Sequence, residues 1–84
     1  MDHHINCAEI HSRVEFHRIL SQTLHFPEWY GNNLDALYDC LTDIQEQTHL
    51  YLENWDALSP AFRGFRAVFD DAEQENLNLI VTYR

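Results

Sequence analysis

The segment that decides the fold of this 84-residue chain is residues 27–42, which read Pro-Glu-Trp-Tyr-Gly-Asn-Asn-Leu-Asp-Ala-Leu-Tyr-Asp-Cys-Leu-Thr. A loop is predicted at residues 26–33, because Pro27 prevents a helix from continuing and Gly31 with two asparagines favours turns and helix caps. A helix is predicted from Asn33 to about residue 43. Apolar residues recur there at helical spacing: Leu34, Leu37, Tyr38 and Leu41.

Toward the N-terminus, the sequence predicts a short strand at residues 4–7 and an amphipathic helix at residues 13–24. Ser12 precedes Glu15 by three residues, which is the capping-box pattern at the start of a helix. His17 lies on this helix between apolar neighbours. We therefore expect its imidazole to be packed or hydrogen-bonded rather than to bind a metal.

Toward the C-terminus, alternating apolar and polar residues predict a strand at residues 49–53. Ser59 followed by Pro60 predicts the start of a further helix, and Asn76 is predicted to end it in a left-handed conformation. The mainly apolar residues 77–83 predict a last strand, at the centre of the sheet. Strands that are separated by helices pair in parallel. We therefore expect one α/β domain over residues 1–84 with a three-stranded parallel sheet.

The charge of the chain is strongly negative and unevenly distributed. Fourteen acidic residues face five arginines and no lysine, which gives a formal net charge of −9, and residues 19–62 contain no lysine or arginine. Direct binding to nucleic acid is not expected, because little positive charge is available to neutralise phosphates. A basic protein partner is favoured, since a negative field speeds the encounter. Acidity that serves only solubility stays an alternative.

The remaining composition narrows the class of protein. No apolar run is long enough to span a membrane, and the first residues lack the pattern of a signal peptide, so we expect a cytoplasmic protein. We also expect the free protein to be a monomer. Cys7 and Cys40 are too few for a disulfide framework and are expected to be reduced and buried, with a regulatory disulfide between them as the alternative. Neither a cofactor nor a metal site is expected.

An acidic stripe runs along the predicted second helix, where Asp35, Asp39 and Asp43 each follow one turn after the last. Like charges at this spacing cost about 0.2–0.5 kcal/mol per pair, and the helix dipole repels anions near the C-terminus. The pattern favours countercharges from another molecule, although a solvated face has the same pattern. In the preceding loop, Trp29 is the better candidate for a partner contact and Tyr30 for core packing.

Residues 24–42 closely resemble the signature of the barstar family. The heart of the signature is Pro-Glu-aromatic-Tyr-Gly-x-Asn-Leu-Asp-Ala-Leu-aromatic-Asp-Cys-Leu, and weaker similarity reaches both ends of the chain. The resemblance implies the family's fold, a three-stranded parallel sheet packed with three to four helices. It also implies a protein that is not an enzyme and that plugs the active site of a basic, barnase-type extracellular ribonuclease in a 1:1 complex.

The resemblance further implies roles for individual residues. Asp39 is the central anion, in the position of a substrate phosphate, and Asp35 pairs with basic groups beside it. The other predicted partner-binding residues are Trp29, Asn33, Tyr38, Asp43, Asp71 and Glu75. Asp43 is included on helical spacing alone.

The chain departs from the family pattern around the two central aspartates. Trp29 stands where the family has Tyr, and Tyr38 stands where it has Trp. Asp71 replaces a glutamate and Ile44 replaces a tryptophan. The segment between residues 53 and 65 is shorter, so a helix there is expected to shrink to about residues 55–58. The two central aspartates match the family, whereas the residues around them differ. We therefore expect the same mode of inhibition with a different cognate nuclease.

Two other functions would use the same carboxylates. One is an acidic adaptor for a basic protein other than a ribonuclease. The other is a metal-dependent hydrolase that uses Asp35, Asp39 and the pair Asp70-Asp71, because carboxylates at helical spacing hold Mg²⁺ or Ca²⁺. No phosphate-binding loop and no nucleophile beside a base accompanies these carboxylates. An enzyme is therefore not predicted.

Overall fold

Three parallel strands form one open sheet in the computed structural model, which describes residues 1–84. They are β1 (Asp2–Asn6), β2 (Thr48–Glu53) and β3 (Leu79–Tyr83), and they lie in the order β1-β2-β3. Ile5 of β1 is opposite Leu52 of β2, and Leu50 of β2 is opposite Val81 of β3. The predicted three-stranded parallel sheet is confirmed.

The prediction that the C-terminal strand is central was wrong, because β2 occupies that position. The apolar run at residues 77–83 suggested a strand buried on both faces, but Leu77 and Ile80 are 88% and 51% exposed. The outer edge of β3 is protected by a side chain rather than by another strand. The backbone N–H of Val81 donates to the Glu73 carboxylate at 3.0 Å, which occupies a group that would otherwise be free to pair with another chain.

Three α-helices pack on the sheet: α1 (Arg13–Leu24), α2 (Leu34–Thr42) and α3 (Arg63–Glu75). The first two begin at the predicted caps. The Ser12 hydroxyl accepts from the backbone N–H of Glu15 at 3.1 Å, and the Asn33 side chain accepts from the N–H of Ala36 at 2.8 Å. These side chains satisfy donors that the first turn of a helix leaves unpaired.

Several predicted boundaries differ from the structure. The first strand covers residues 2–6 rather than 4–7, and the short helix expected at residues 55–58 is one 3₁₀ turn, Trp55–Ala57. Ser59 caps a separate 3₁₀ turn, Pro60–Phe62, and α3 begins only after it. Asn76 is extended, with φ −132°, rather than left-handed. At the end of α3, the Asn76 side chain instead donates hydrogen bonds to backbone carbonyls at the end of α2. No left-handed residue is needed there.

The core lies between the helices and one face of the sheet. Aromatic rings dominate it: Phe16 stacks on Phe65 with centroids 4.6 Å apart, and Phe69 meets Phe16 edge-on. Cys7 and Cys40 are buried free thiols, as predicted. Burial raises the pKa of Cys7 to about 11, so this thiol stays protonated and unreactive at neutral pH. None of the helices is long and apolar enough to cross a membrane.

Helices α2 and α3 lie side by side and run in the same direction. At their starts, Leu34 packs against Gly64 so closely that a Cβ at Gly64 would lie 2.9 Å from the Leu34 Cδ1. At their ends, the Asn76 side chain donates to the backbone carbonyls of Leu41 at 2.9 Å and Ile44 at 3.0 Å. This pairing positions the surface that the two helices present to solvent.

Candidate partner-binding surface

The stripe on α2 faces solvent with no countercharge from the chain itself. Asp35 and Asp39 are exposed, opposite the fully buried Leu37 and Leu41, and Asp43 is exposed at the C-cap. None of the three carboxylates forms a salt bridge or a side-chain hydrogen bond, since the ion pairs of the molecule all involve other acids. The stripe is therefore a row of solvated carboxylates on a helix whose opposite side packs in the core.

The acids of α3 divide between its two flanks, because consecutive residues of a helix are about 100° apart. Asp70 and Glu73 face β3: the Tyr83 hydroxyl donates to Asp70 at 3.5 Å, and Glu73 accepts from the backbone of Val81. Asp71 and Glu75 share the opposite flank with Gly64, which touches α2. These two carboxylates are exposed and unpaired.

Five unpaired carboxylates thus border one surface made by two parallel helices. We call this surface the acidic face, and it consists of Asp35, Asp39, Asp43, Asp71 and Glu75. Asp70, which the hydrolase hypothesis required, lies on the far flank of α3 and pairs with Arg66 at 3.4 Å. No group of three or more metal-binding side chains is present.

Two aromatic residues flank the stripe in different environments. Tyr38 is half-buried on the side of α2 that leads toward α3, and it packs against the core. Trp29 is 75% exposed and borders a shallow depression together with Cys40, Asp43 and Ile44. The loop before α2 therefore folds back beside the C-terminal half of that helix, where Trp29 meets the end of the stripe.

The position of Trp29 depends on its neighbour Tyr30. A turn joins the Tyr30 N–H to the Pro27 carbonyl at 3.0 Å, and the Tyr30 ring is buried beside Phe26 with centroids 5.0 Å apart. Its hydroxyl is hydrogen-bonded to Nδ1 of His17 at 2.6 Å in the interior. The predictions that Tyr30 packs in the core and that His17 is a hydrogen-bonded structural residue are both confirmed.

Asn33 has a structural task at the start of α2. Its side chain caps the helix through Ala36, and its amide donates to the carbonyl of Gly31 at 3.3 Å. A contact between Asn33 and a partner stays a prediction, and so do partner contacts by the acidic face, Trp29 and Tyr38.

The sequence did not reveal Gly64 and Asn76 as the residues that hold α2 and α3 together. Both act across helices, so no local pattern marks them.

Comparison with known proteins agrees with this geometry. The sequence profile of the family described as Barstar (barnase inhibitor) matches residues 1–83. The chain belongs to the barstar family. This barstar-family protein is also 40% identical over 65 residues, or 70% of each chain, to a Bacillus subtilis (strain 168) protein named "Putative ribonuclease inhibitor YrdF". The fold and the family expected from residues 24–42 are therefore confirmed.

Proposed function

We propose that this barstar-family protein is a cytoplasmic inhibitor of a basic, barnase-type ribonuclease. It binds the enzyme as a 1:1 complex and is a monomer when free. The observation that carries the proposal is the acidic face, five exposed carboxylates that no arginine or histidine of the chain neutralises. Family membership and the name of the relative support the ribonuclease as the partner.

Carboxylates on a rigid helix suit the phosphate site of a nuclease. Such a site holds cationic and N–H donors arranged for phosphate oxygens, and a carboxylate accepts the same charge-assisted hydrogen bonds. Asp39 is the middle residue of the stripe and lies between the half-buried Tyr38 and the buried Cys40. It is proposed to occupy the phosphate position, with Asp35 one turn earlier against neighbouring basic groups.

The edge of the surface is proposed to select the cognate enzyme. Trp29 offers a large exposed ring beside the end of the stripe, and Tyr38 offers a half-buried ring between the stripe and α3. Rigid aromatic side chains next to charges that lose water on binding are typical of interface hot spots. Asp71 and Glu75 complete the acidic face from α3.

Asp39→Ala tests the proposed mechanism directly. We expect this change to raise the inhibition constant against a barnase-type ribonuclease by more than about 30-fold, the effect of losing a hot spot worth about 2 kcal/mol or more. RNA cleavage is followed at increasing inhibitor concentrations, and urea unfolding checks that the variant is as stable as the parent. Loss of a like charge from the stripe is not expected to destabilise α2.

Asp2→Ala is the matched control, because Asp2 is exposed and unpaired on the face of β1 that points away from the helices. It removes the same charge and is expected to inhibit as the parent does. Equal inhibition by Asp39→Ala and the parent would contradict the mechanism. If the protein binds the nuclease or another basic protein without reducing RNA cleavage, the adaptor function replaces the inhibitor function.

A further inference from the structure

A large concave region of the molecule lies at the N-terminal ends of α1, α2 and α3, and none of the five acidic-face residues lines it. It is an open groove of about 730 Å³, within the range of about 300–1,000 Å³ typical of small-molecule sites. Eleven residues line it, and none of them is acidic. In a chain with fourteen acids and a net charge of −9, an acid-free groove is a local exception.

Two of the five arginines border this groove, and neither is neutralised by the chain. Arg18, Arg66 and Arg84 each pair with an acid, whereas Arg13 and Arg63 form no salt bridge and no hydrogen bond through their guanidinium groups. A guanidinium presents a planar fork of donors that matches the oxygens of a phosphate. The positive ends of the α1 and α2 dipoles add to the same local potential.

His17 supplies a third donor from the floor of the groove. The residue is 95% buried, since only 5% of its surface is exposed, and it lines this groove. Its Nδ1 is bonded to the Tyr30 hydroxyl, which has no other partner in the chain. We assign the hydroxyl as the donor, so the neutral ring carries its proton on Nε2. Nε2 has no partner in the protein and is not sealed from solvent, so its N–H is available to a ligand in the groove.

We propose that the groove bounded by Arg13, His17 and Arg63 binds a small molecule that carries a phosphate group. The two guanidinium groups and the Nε2–H of His17 donate to the phosphate oxygens. The rest of the molecule lies on the apolar surface of Val14 and Leu34, which also line the groove. Because the groove is larger than a single phosphate ion, a phosphate monoester is expected to bind more tightly than inorganic phosphate.

The test is an NMR titration of the full chain with inorganic phosphate and, separately, with adenosine monophosphate as a monoester probe. We expect saturable shifts at the side-chain N–H groups of Arg13 and Arg63 and at the His17 ring, with tighter binding of the monoester. Arg13→Ala and Arg63→Ala are each expected to weaken binding about tenfold or more, because each removes charge-assisted hydrogen bonds.

Arg18→Ala is the matched control, since it removes the same charge from outside the groove, where Arg18 pairs with Glu15. It is expected to leave the dissociation constant within about twofold of the parent, because the charge of Arg18 is exposed, screened by salt and already paired with Glu15. Absence of saturation, saturable shifts elsewhere on the surface, or equal weakening by Arg18→Ala would overturn the proposal. No nuclease is present in this titration, so its outcome is independent of the inhibitor function.

Discussion

His17 and Tyr30 connect the loop before α2 to α1 through one buried hydrogen bond of 2.6 Å. Burial lowers the pKa of His17 below its ordinary 6.5 and raises the pKa of Tyr30, because the interior disfavours the charged form of either ring. Both side chains are therefore neutral in the folded protein at neutral pH. The neutral pair anchors the turn that directs Trp29 outward.

The neutral His17 predicts a loss of stability in weakly acidic solution. Above pH 6.5 the ring is neutral in both folded and unfolded chains, so its contribution is complete there. As the pH falls from 6.5 through the lowered folded pKa, the unfolded chain takes up a proton first, and this contribution to stability is lost. Urea unfolding is measured at about pH 7.5 and about pH 5.5. The free energy of unfolding is expected to decrease more between these two pH values for the parent than for His17→Gln.

His11→Gln provides the control for this pH dependence. His11 is exposed just before α1. Its replacement is expected to leave the decrease in the free energy of unfolding between the two pH values the same as in the parent. A His17→Gln variant that loses as much stability as the parent over this range would refute the assignment of the effect to His17.

Neighbouring acids of the same chemical type have different tasks in α3. Asp70 accepts a hydrogen bond from the Tyr83 hydroxyl, and its neighbour Asp71 is exposed with no partner. The difference follows from a rotation of about 100° between consecutive residues. The family resemblance named Asp71 rather than Asp70 as a partner-binding residue. The packing of α3 against β3 gives the physical reason, because it engages Asp70 with Tyr83 and leaves Asp71 exposed.

At the scale of elements, α2 is held at both ends by asparagine side chains. Asn33 caps its first turn through Ala36, and Asn76 donates to the carbonyls of Leu41 and Ile44 at its end. The helix that carries the stripe is short, with nine residues, and such helices are marginal by themselves. Its rigidity therefore depends on these caps and on α3.

Replacement of Asn76 is expected to weaken the molecule. Asn76→Ala leaves the buried carbonyl of Leu41 without its side-chain donor, and we expect a decrease of about 1–3 kcal/mol in the free energy of unfolding. Urea unfolding measures the decrease. Gln74→Ala, an exposed change on the same helix, is the control and is expected to stay within about 0.5 kcal/mol of the parent. A similar effect of both changes would contradict the role of Asn76.

Across the whole molecule, the two faces of the sheet have different surroundings. The helices cover one face, and on the other His4 and His49 both stack on Tyr51, with ring centroids 4.5 Å and 4.0 Å from it. The acidic face lies on the helical side. The negative charge that the proposed function uses is thus concentrated on one side of a chain whose net charge is −9.

This charge asymmetry predicts that binding to a basic ribonuclease is steered electrostatically. The association rate constant is expected to fall about tenfold or more between about 0.05 M and about 0.5 M salt, because ions screen attraction over the approach distance. The dissociation rate constant is expected to change much less, since it depends on contacts within the complex. Stopped-flow tryptophan fluorescence follows the reaction, and an association rate that does not depend on salt would argue against steering.

The sequence by itself determined the elements of this protein and the family to which it belongs. The Ser12 and Asn33 caps, the helical spacing of apolar residues and the alternation of Leu50 and Leu52 are local patterns, and each produced the expected helix or strand. The stripe of Asp35 and Asp39 was visible in the same way, because helical spacing alone places these residues on one face.

Tertiary structure decided what local patterns do not encode. Strand order depends on which edge each crossover reaches, so β2 rather than β3 is central. The end of α3 depends on the carbonyls of α2, which lie about 35 residues away from Asn76 along the chain. Two surfaces arise only where distant segments pack together. One is the acidic face, which combines residues of α2 and α3, and the other is the acid-free groove of Arg13 and Arg63. No local pattern encodes them, because their charge and shape are properties of the assembled surface.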